Sequence, residues 1–176
     1  WIRGQSEDYN IWRQLGNTGW GWNDVLPYFL KSENNELGKG EFHNDSGPIT
    51  VANKKINLKL LDEFQNAAEE YGIPKTNDFN TGDNTGVGFF QFTTSFNKTG
   101  LKLRCSAAKG YLNPVKNRSN LKIVVKAHVQ KINFEGKKAI GASYYKGDKL
   151  VEVKANKEII LSAGAIGSPH ILQVSG

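Results

Sequence analysis

Near its end the chain changes hydrophobic period twice within a few residues, and this limits the folds open to it. Leu121, Ile123, Val125, Ala127 and Val129 alternate with mostly polar residues, as in a strand with one buried face. Ile132 and Phe134 continue the alternation in the opposite phase. Strand faces repeat every two residues, so this flip predicts a bulge or bend just after Val129. Gly136 and Gly147-Asp148 then separate two further alternating runs, Ile140, Ala142, Tyr144 and Val151, Val153, Ala155. A three-stranded antiparallel meander is expected. Glu158-Ile159-Ile160-Leu161 abandons alternation for a continuous apolar run, the pattern of a strand buried on both faces of a parallel sheet. It is expected to pair with the 123–129 strand or that strand's neighbours. Ser162-Ala163-Gly164 follows, small enough to let a backbone approach a ligand. Ser168 and Pro169 read as the N-cap and first residue of a helix that carries Ile171, Leu172 and Val174. Strand, glycine turn and helix form a phosphate-accepting edge in open α/β sheets. A purely structural βα unit has the same pattern.

The first half is helical, then mixed. Ser6 is the expected cap of a helix whose apolar face is Ile11, Trp12 and Leu15, with Gly16 as its stop. Asp24 is the expected cap of a second helix reaching Ser32, which places Pro27 at its third position, where no backbone N–H is needed. Pro48 to Val51 reads as a short strand. Leu58, Leu61, Phe64, Ala68 and Tyr71 recur at helical spacing, and Gly72-Ile73-Pro74 ends that helix. Thr81 to Gly88 has loop chemistry, Val87 to Thr93 reads as an aromatic-rich strand, and Arg104 to Leu112 as a helix.

Composition removes several functions. The net charge is +6, yet the lysines are scattered among acids, with no block of Lys and Arg interleaved with stacking aromatics. No nucleic-acid partner is expected. No apolar run reaches the length of a membrane-spanning helix. The one cysteine, Cys105, excludes an internal disulfide and a cysteine-rich zinc site and reads as a buried or bystander thiol. His43, His128 and His170 lack metal-ligand spacing, and no metal site is expected. Sequons at Asn44, Asn97 and Asn117 lean the location toward a secreted or extracellular one, although such triplets also arise by chance in an asparagine-rich chain. Trp20 and Trp22 read as a structural aromatic corner. The alternative is a non-catalytic carbohydrate-binding module using them together with Phe89. The chain has no methionine, opens at Trp1 and closes at Gly176 with a helical pattern under way, so an internal piece of a longer protein is expected.

Several motifs in order carry a resemblance. Gly164-Ala165-Ile166-Gly167-Ser168-Pro169-His170-Ile171-Leu172-Gln173-Val174-Ser175-Gly176 resembles the second signature of the glucose–methanol–choline (GMC) oxidoreductases, and Lys157 to Gly164 resembles the strand leading into it. Asp8-Tyr9, Gly19-Trp20, Asp24 to Phe29 and Lys31-Ser32-Glu33 resemble the stretch after the first signature; Ser106-Ala107-Ala108 and Asn120-Leu121 also match. The likeness spans the chain and leans toward the animal glucose-dehydrogenase-like branch.

The resemblance implies α/β plus α+β architecture: part of an FAD-binding Rossmann-like domain with a β-meander, and part of an antiparallel-sheet substrate domain. Residues 1–46 and 104–176 would belong to the former and 47–103 to the latter. The implied cofactor is FAD, with Val129 meeting adenine through its main chain, Ser162, Ala163 and Gly164 near the cofactor, and Trp1 near the flavin. The implied parent enzyme oxidises the CH–OH group of a small alcohol or sugar to a carbonyl, passing hydride to the flavin. Its glycine-rich ADP-binding motif would precede Trp1 and its catalytic histidine would follow Gly176. No catalytic residue is assigned here, and the 176 residues alone are expected to be inactive.

Overall fold

The computed structural model describes residues 1–53, 58–96, 99 and 101–176. They form two units, Trp1–Arg118 and Ser119–Gly176.

In the first unit, α1 (Ser6–Gln14) starts one residue earlier than expected, because Gln5 is the cap and its N–H donates to the Asp8 carboxylate at 2.8 Å. Helix α2 (Trp22–Ser32) starts earlier than expected for the same reason. Gly21 is the cap, and its N–H donates to Asp24 at 3.0 Å. Asp24 therefore stabilises the end from inside the first turn rather than capping it. Pro27 falls in the second turn, where it deprives the Asn23 carbonyl of its helical donor.

Strand β1 (Glu33–Asn35) lies parallel to β2 (Ile49–Ala52), which pairs antiparallel with β3 (Phe92–Phe96); β3 pairs antiparallel with β4 (Lys102–Arg104). Helix α3 (Lys59–Glu70) agrees with its apolar spacing. The aromatic-rich strand begins at Phe92 instead of Val87, because Val87 has only an isolated bridge to Lys75. The expected helix from Arg104 is replaced by β4 and a wide helical turn, Ala108–Leu112, whose Asn113 N–H reaches back to the Ala108 carbonyl at 2.8 Å. That turn packs closely on the sheet: a Cβ on Gly110 would stand 2.8 Å from the Pro48 carbonyl oxygen. Ile49, Val51 and Cys105 form the apolar core, so the lone thiol is a packing group.

The second unit is a meander of β5 (His128–Glu135), β6 (Lys138–Lys146) and β7 (Lys149–Lys154), in that order, followed by α4 (Gly164–Ser175). Both hairpins use two-residue loops with a positive φ only at the first position, Gly136 at 59° and Gly147 at 60°, as type II′ turns require. The register slips between Val129 and Lys131, where the phase flip predicts a bulge, and again between Asn133 and Phe134.

Two expectations for this unit fail. Residues 121–127 are not strand; Lys126 adopts φ 54°, which breaks an extended run before β5 begins. Ile159–Leu161 is not a paired strand either. The last sheet bond is Ala155 N–H to the Ile140 carbonyl at 2.8 Å, and Ile160 is 78% exposed. A strand needs a neighbouring ladder, and no described strand pairs with this run.

The sequons also differ. The Asn44 amide already donates to the Leu30 carbonyl at 3.0 Å, Asn117 is exposed, and Asn97 lies outside the described residues.

Gly141 is the point where β6 tolerates no side chain, since a Cβ there would stand 2.2 Å from the Val153 carbonyl oxygen. Gly141→Ala is expected to destabilise the second unit by about 1–3 kcal/mol, read as a lowered denaturation midpoint. An unchanged midpoint contradicts the tight β6–β7 register.

Candidate cofactor-binding site

Strand β5 is an edge strand, and its bulge decides which main-chain groups face outward. Directly opposed antiparallel pairs alternate between hydrogen-bonded and non-hydrogen-bonded classes. Along this ladder the successive pairs are Val129 with Tyr144, Lys131 with Ser143, and Ile132 with Ala142. The Ile132 N–H leaves the sheet and donates to Ser175 Oγ of α4 at 2.9 Å, so its pair is of the non-bonded class. Tyr144 and Ala142 are two residues apart on β6, and Val129 therefore belongs to the same class. Its N–H and C=O point away from β6, toward the free edge. Without the extra residue at the bulge, Val129 and Ile132, three apart, would face opposite ways.

A cavity of about 530 Å³ lies beside that edge, a size suited to a nucleotide. Val129, Gln130 and Tyr145 line it from the sheet, and Ala163, Gly167 and Ile171 from the start of α4. The helix begins at Gly164 (φ 86°), so Ser168 is not its cap and Pro169 is not its first residue. Instead Ser168 Oγ accepts the Ala163 N–H at 3.0 Å from inside the helix. A Cβ on Gly167 would stand 3.1 Å from the Ala163 methyl, so any larger pair would crowd the opening. Val129 and Ala163 thus meet at one cavity; Ser162 and Gly164 flank it without lining it. An outward main-chain edge facing small residues at a helix N-terminus fits the adenosine half of a dinucleotide, as the resemblance requires. His128, beside Val129 in the matched motif, and His170, within the signature, line the same cavity together with Tyr145, which the sequence had not singled out. Cross-strand pairing and helix docking bring them together, and neither is visible in local spacing.

Trp1 lies in the first unit. It lines a cavity of about 720 Å³ with Tyr9, Trp12, Trp20, Tyr28 and Phe29. Its indole N–H is buried with no partner among the described residues. Trp22 packs against Tyr9, with ring centroids 5.8 Å apart, and against Gly82, while Trp20 leans on Trp12 at 6.0 Å. This is the aromatic corner, and Trp22 is not free to serve as a sugar platform.

Nearby, four charged groups are joined through one buried carboxylate. Arg3 Nη2 and His43 Nδ1 each lie 2.8 Å from Glu33 Oε1, and His43 Nε2 donates to Asp78 Oδ2 at 2.8 Å. The hydrogen bond to Asp78 and then that to Glu33 outweigh burial and raise the His43 pKa to about 9. Burial pushes the Glu33 and Asp78 carboxyls up, but the His43 hydrogen bond and the adjacent positive charges hold both below their usual values. Protonated, His43 makes the cluster neutral: two cations and two anions. Among the described residues no group of side chains has the composition of a metal site.

The sequence profile of the GMC oxidoreductases matches residues 1–176. The chain belongs to the GMC oxidoreductase family. It is 40% identical over its whole length to an oxygen-dependent choline dehydrogenase of Pectobacterium carotovorum, covering 31% of that protein. It is 38% identical to the human mitochondrial choline dehydrogenase, covering 29% of it. The chain therefore spans about a third of the length of the curated relatives it matches. Among solved structures, an FAD-dependent oxidoreductase from Chaetomium thermophilum superposes with a TM-score of 0.86 at 36% identity, the chain covering 32% of it. Pyridoxine 4-oxidase from Mesorbium loti superposes with a TM-score of 0.81 at 28% identity, with 34% covered. In both, all of this chain is matched. The mixed sheet, meander and helices are thus those of the family's FAD-binding Rossmann-like architecture. The lean toward glucose dehydrogenases is finer than these likenesses support, since they point to choline dehydrogenases.

The His43 cluster has a measurable pH signature. The His43 pKa is raised by folding, so its stabilisation is full below about pH 6.5 and is lost as pH rises through about 9. The carboxylates act in the opposite sense: their pKa values are lowered, and their contribution is lost as pH falls through those values. Denaturation midpoints across pH 5–10, a range chosen to bracket roughly these transitions, should fall from neutral to alkaline pH in the wild type and fall less in His43→Gln. Parallel pH profiles for the two proteins contradict the cluster.

Proposed function

We propose that the full-length protein is an FAD-dependent oxidoreductase that oxidises the CH–OH group of a small alcohol to a carbonyl. The observation that carries this is the whole-chain GMC match, together with the outward main-chain edge of Val129 beside the small-residue start of α4. Bound FAD supplies the two-electron acceptor for this oxidation. Val129 offers a main-chain donor and acceptor to the adenine edge, while Ala163 and Gly167 keep the approach open. Ser162 and Gly164 shape the turn that presents Ala163, and Trp1 stands near the flavin. In this reading residues 1–46 and 104–176 serve the FAD-binding domain and 47–103 the substrate domain. No residue of this chain is assigned to proton transfer at the substrate.

The relatives are named for choline, which supports an amino alcohol over a sugar as the substrate class. Choline added anaerobically to the flavin-loaded full-length enzyme should bleach the oxidised flavin. Failure of choline and other small alcohols alike to do so contradicts the proposed activity. The cofactor edge is tested separately. Val129→Ile keeps the main chain and should retain FAD. Val129→Pro removes an N–H that is not part of the sheet ladder, so it should lower flavin content without unfolding the meander. Equal FAD content in wild type and the proline variant contradicts the assignment.

A further inference from the structure

We propose that His128 and Tyr145 form an aromatic platform for the adenine base, with His170 facing the same cavity from α4. This inference rests on the FAD-binding reading above and adds side chains to its main-chain edge. His128 and Tyr145 are directly paired across β5 and β6, which puts both rings on one face of the meander. Both line the cavity, as does His170, three residues beyond Gly167 on the same side of the helix. None of the three rings has a hydrogen bond, ion pair or ring contact with another described residue. The rings are therefore not engaged elsewhere in the unit.

The placement suits a purine. Its edge carries donors and acceptors that a main chain can satisfy, and Val129 provides both at the free edge of β5. Its flat π-face needs a planar, sequence-neutral surface, which stacking on aromatic side chains supplies. A sheet face bearing two adjacent rings next to an outward main-chain edge offers both kinds of contact within one cavity. Across it, Ala163 and Gly167 carry too little bulk to compete with a base for the space.

The test uses the full-length enzyme, stripped of flavin and titrated with FAD by fluorescence quenching. Tyr145→Leu and His128→Leu keep apolar bulk on the strand but lose the ring; Tyr145→Phe and His128→Phe keep a ring and lose the polar atoms. The leucine variants should bind FAD about 5- to 100-fold more weakly, the range expected for losing a base-stacking ring. The phenylalanine variants should stay within a few-fold of wild type, and apoprotein melting should be similar throughout. Leucine variants that bind FAD as tightly as wild type, while Val129→Pro does not, overturn the platform and leave the FAD-binding reading intact. If Val129→Pro also binds normally, the main-chain edge fails and the platform falls with it. Phenylalanine variants as weak as the leucine ones overturn stacking as the cause.

Discussion

The first unit depends on a single buried carboxylate. Glu33 has no exposed surface, and Arg3 and His43 converge on one of its oxygens. Each of the four charged groups comes from a different segment: the stretch before α1, the first residue of β1, the loop before β2 and the loop before β3. Around them lie buried amides: Asn35 and Gln91 exchange reciprocal side-chain hydrogen bonds at 3.2 Å, and Asn80 accepts the Arg3 N–H at 2.8 Å. An apolar core would hold these segments with less geometric demand. A charged core holds them in one arrangement only, because breaking a buried pair costs about 3–5 kcal/mol. The cation that closes the circuit is a histidine, which ties this arrangement to pH.

The second unit solves a different problem, how to offer backbone to a ligand without unravelling a sheet. One extra residue in β5 brings Val129 into phase with Ile132. Ile132 uses its outward N–H to dock α4 through Ser175. Val129 keeps its own outward groups free, beside the start of the same helix. One irregularity thus fixes the helix position and leaves a free main-chain edge, which we propose the cofactor occupies.

What the sequence made legible followed from periodicity. The meander, the bulge after Val129 and helix α3 all rest on short-range alternation or helical spacing, which survives without knowledge of neighbours. The misplaced elements depend on partners. Ile159–Leu161 has the composition of a buried strand, but composition supplies no ladder. Strands β1 and β4 are too short and polar to announce themselves; Glu33 and Asn35 point inward, against any hydrophobic pattern. The helix starts shifted because side chains near the helix start, Asp8, Asp24 and Ser168, bond back to the preceding backbone and move the boundary. At the site, Val129 and Ala163 were accessible through motif likeness. His128 and His170 lie within matched motifs, but their meeting with Tyr145 is a product of strand register and helix docking.

In the proposed site the main chain of Val129 is free of the sheet and is taken up by FAD. Residue-resolved amide exchange on the full-length enzyme, with and without FAD, measures this directly. In the apoprotein the Val129 amide should exchange much faster than that of Lys131, whose pair belongs to the hydrogen-bonded class of the same ladder. FAD should then protect Val129 and leave Lys131 little changed. A Val129 amide already protected without FAD, or one that FAD leaves unprotected, would contradict the account.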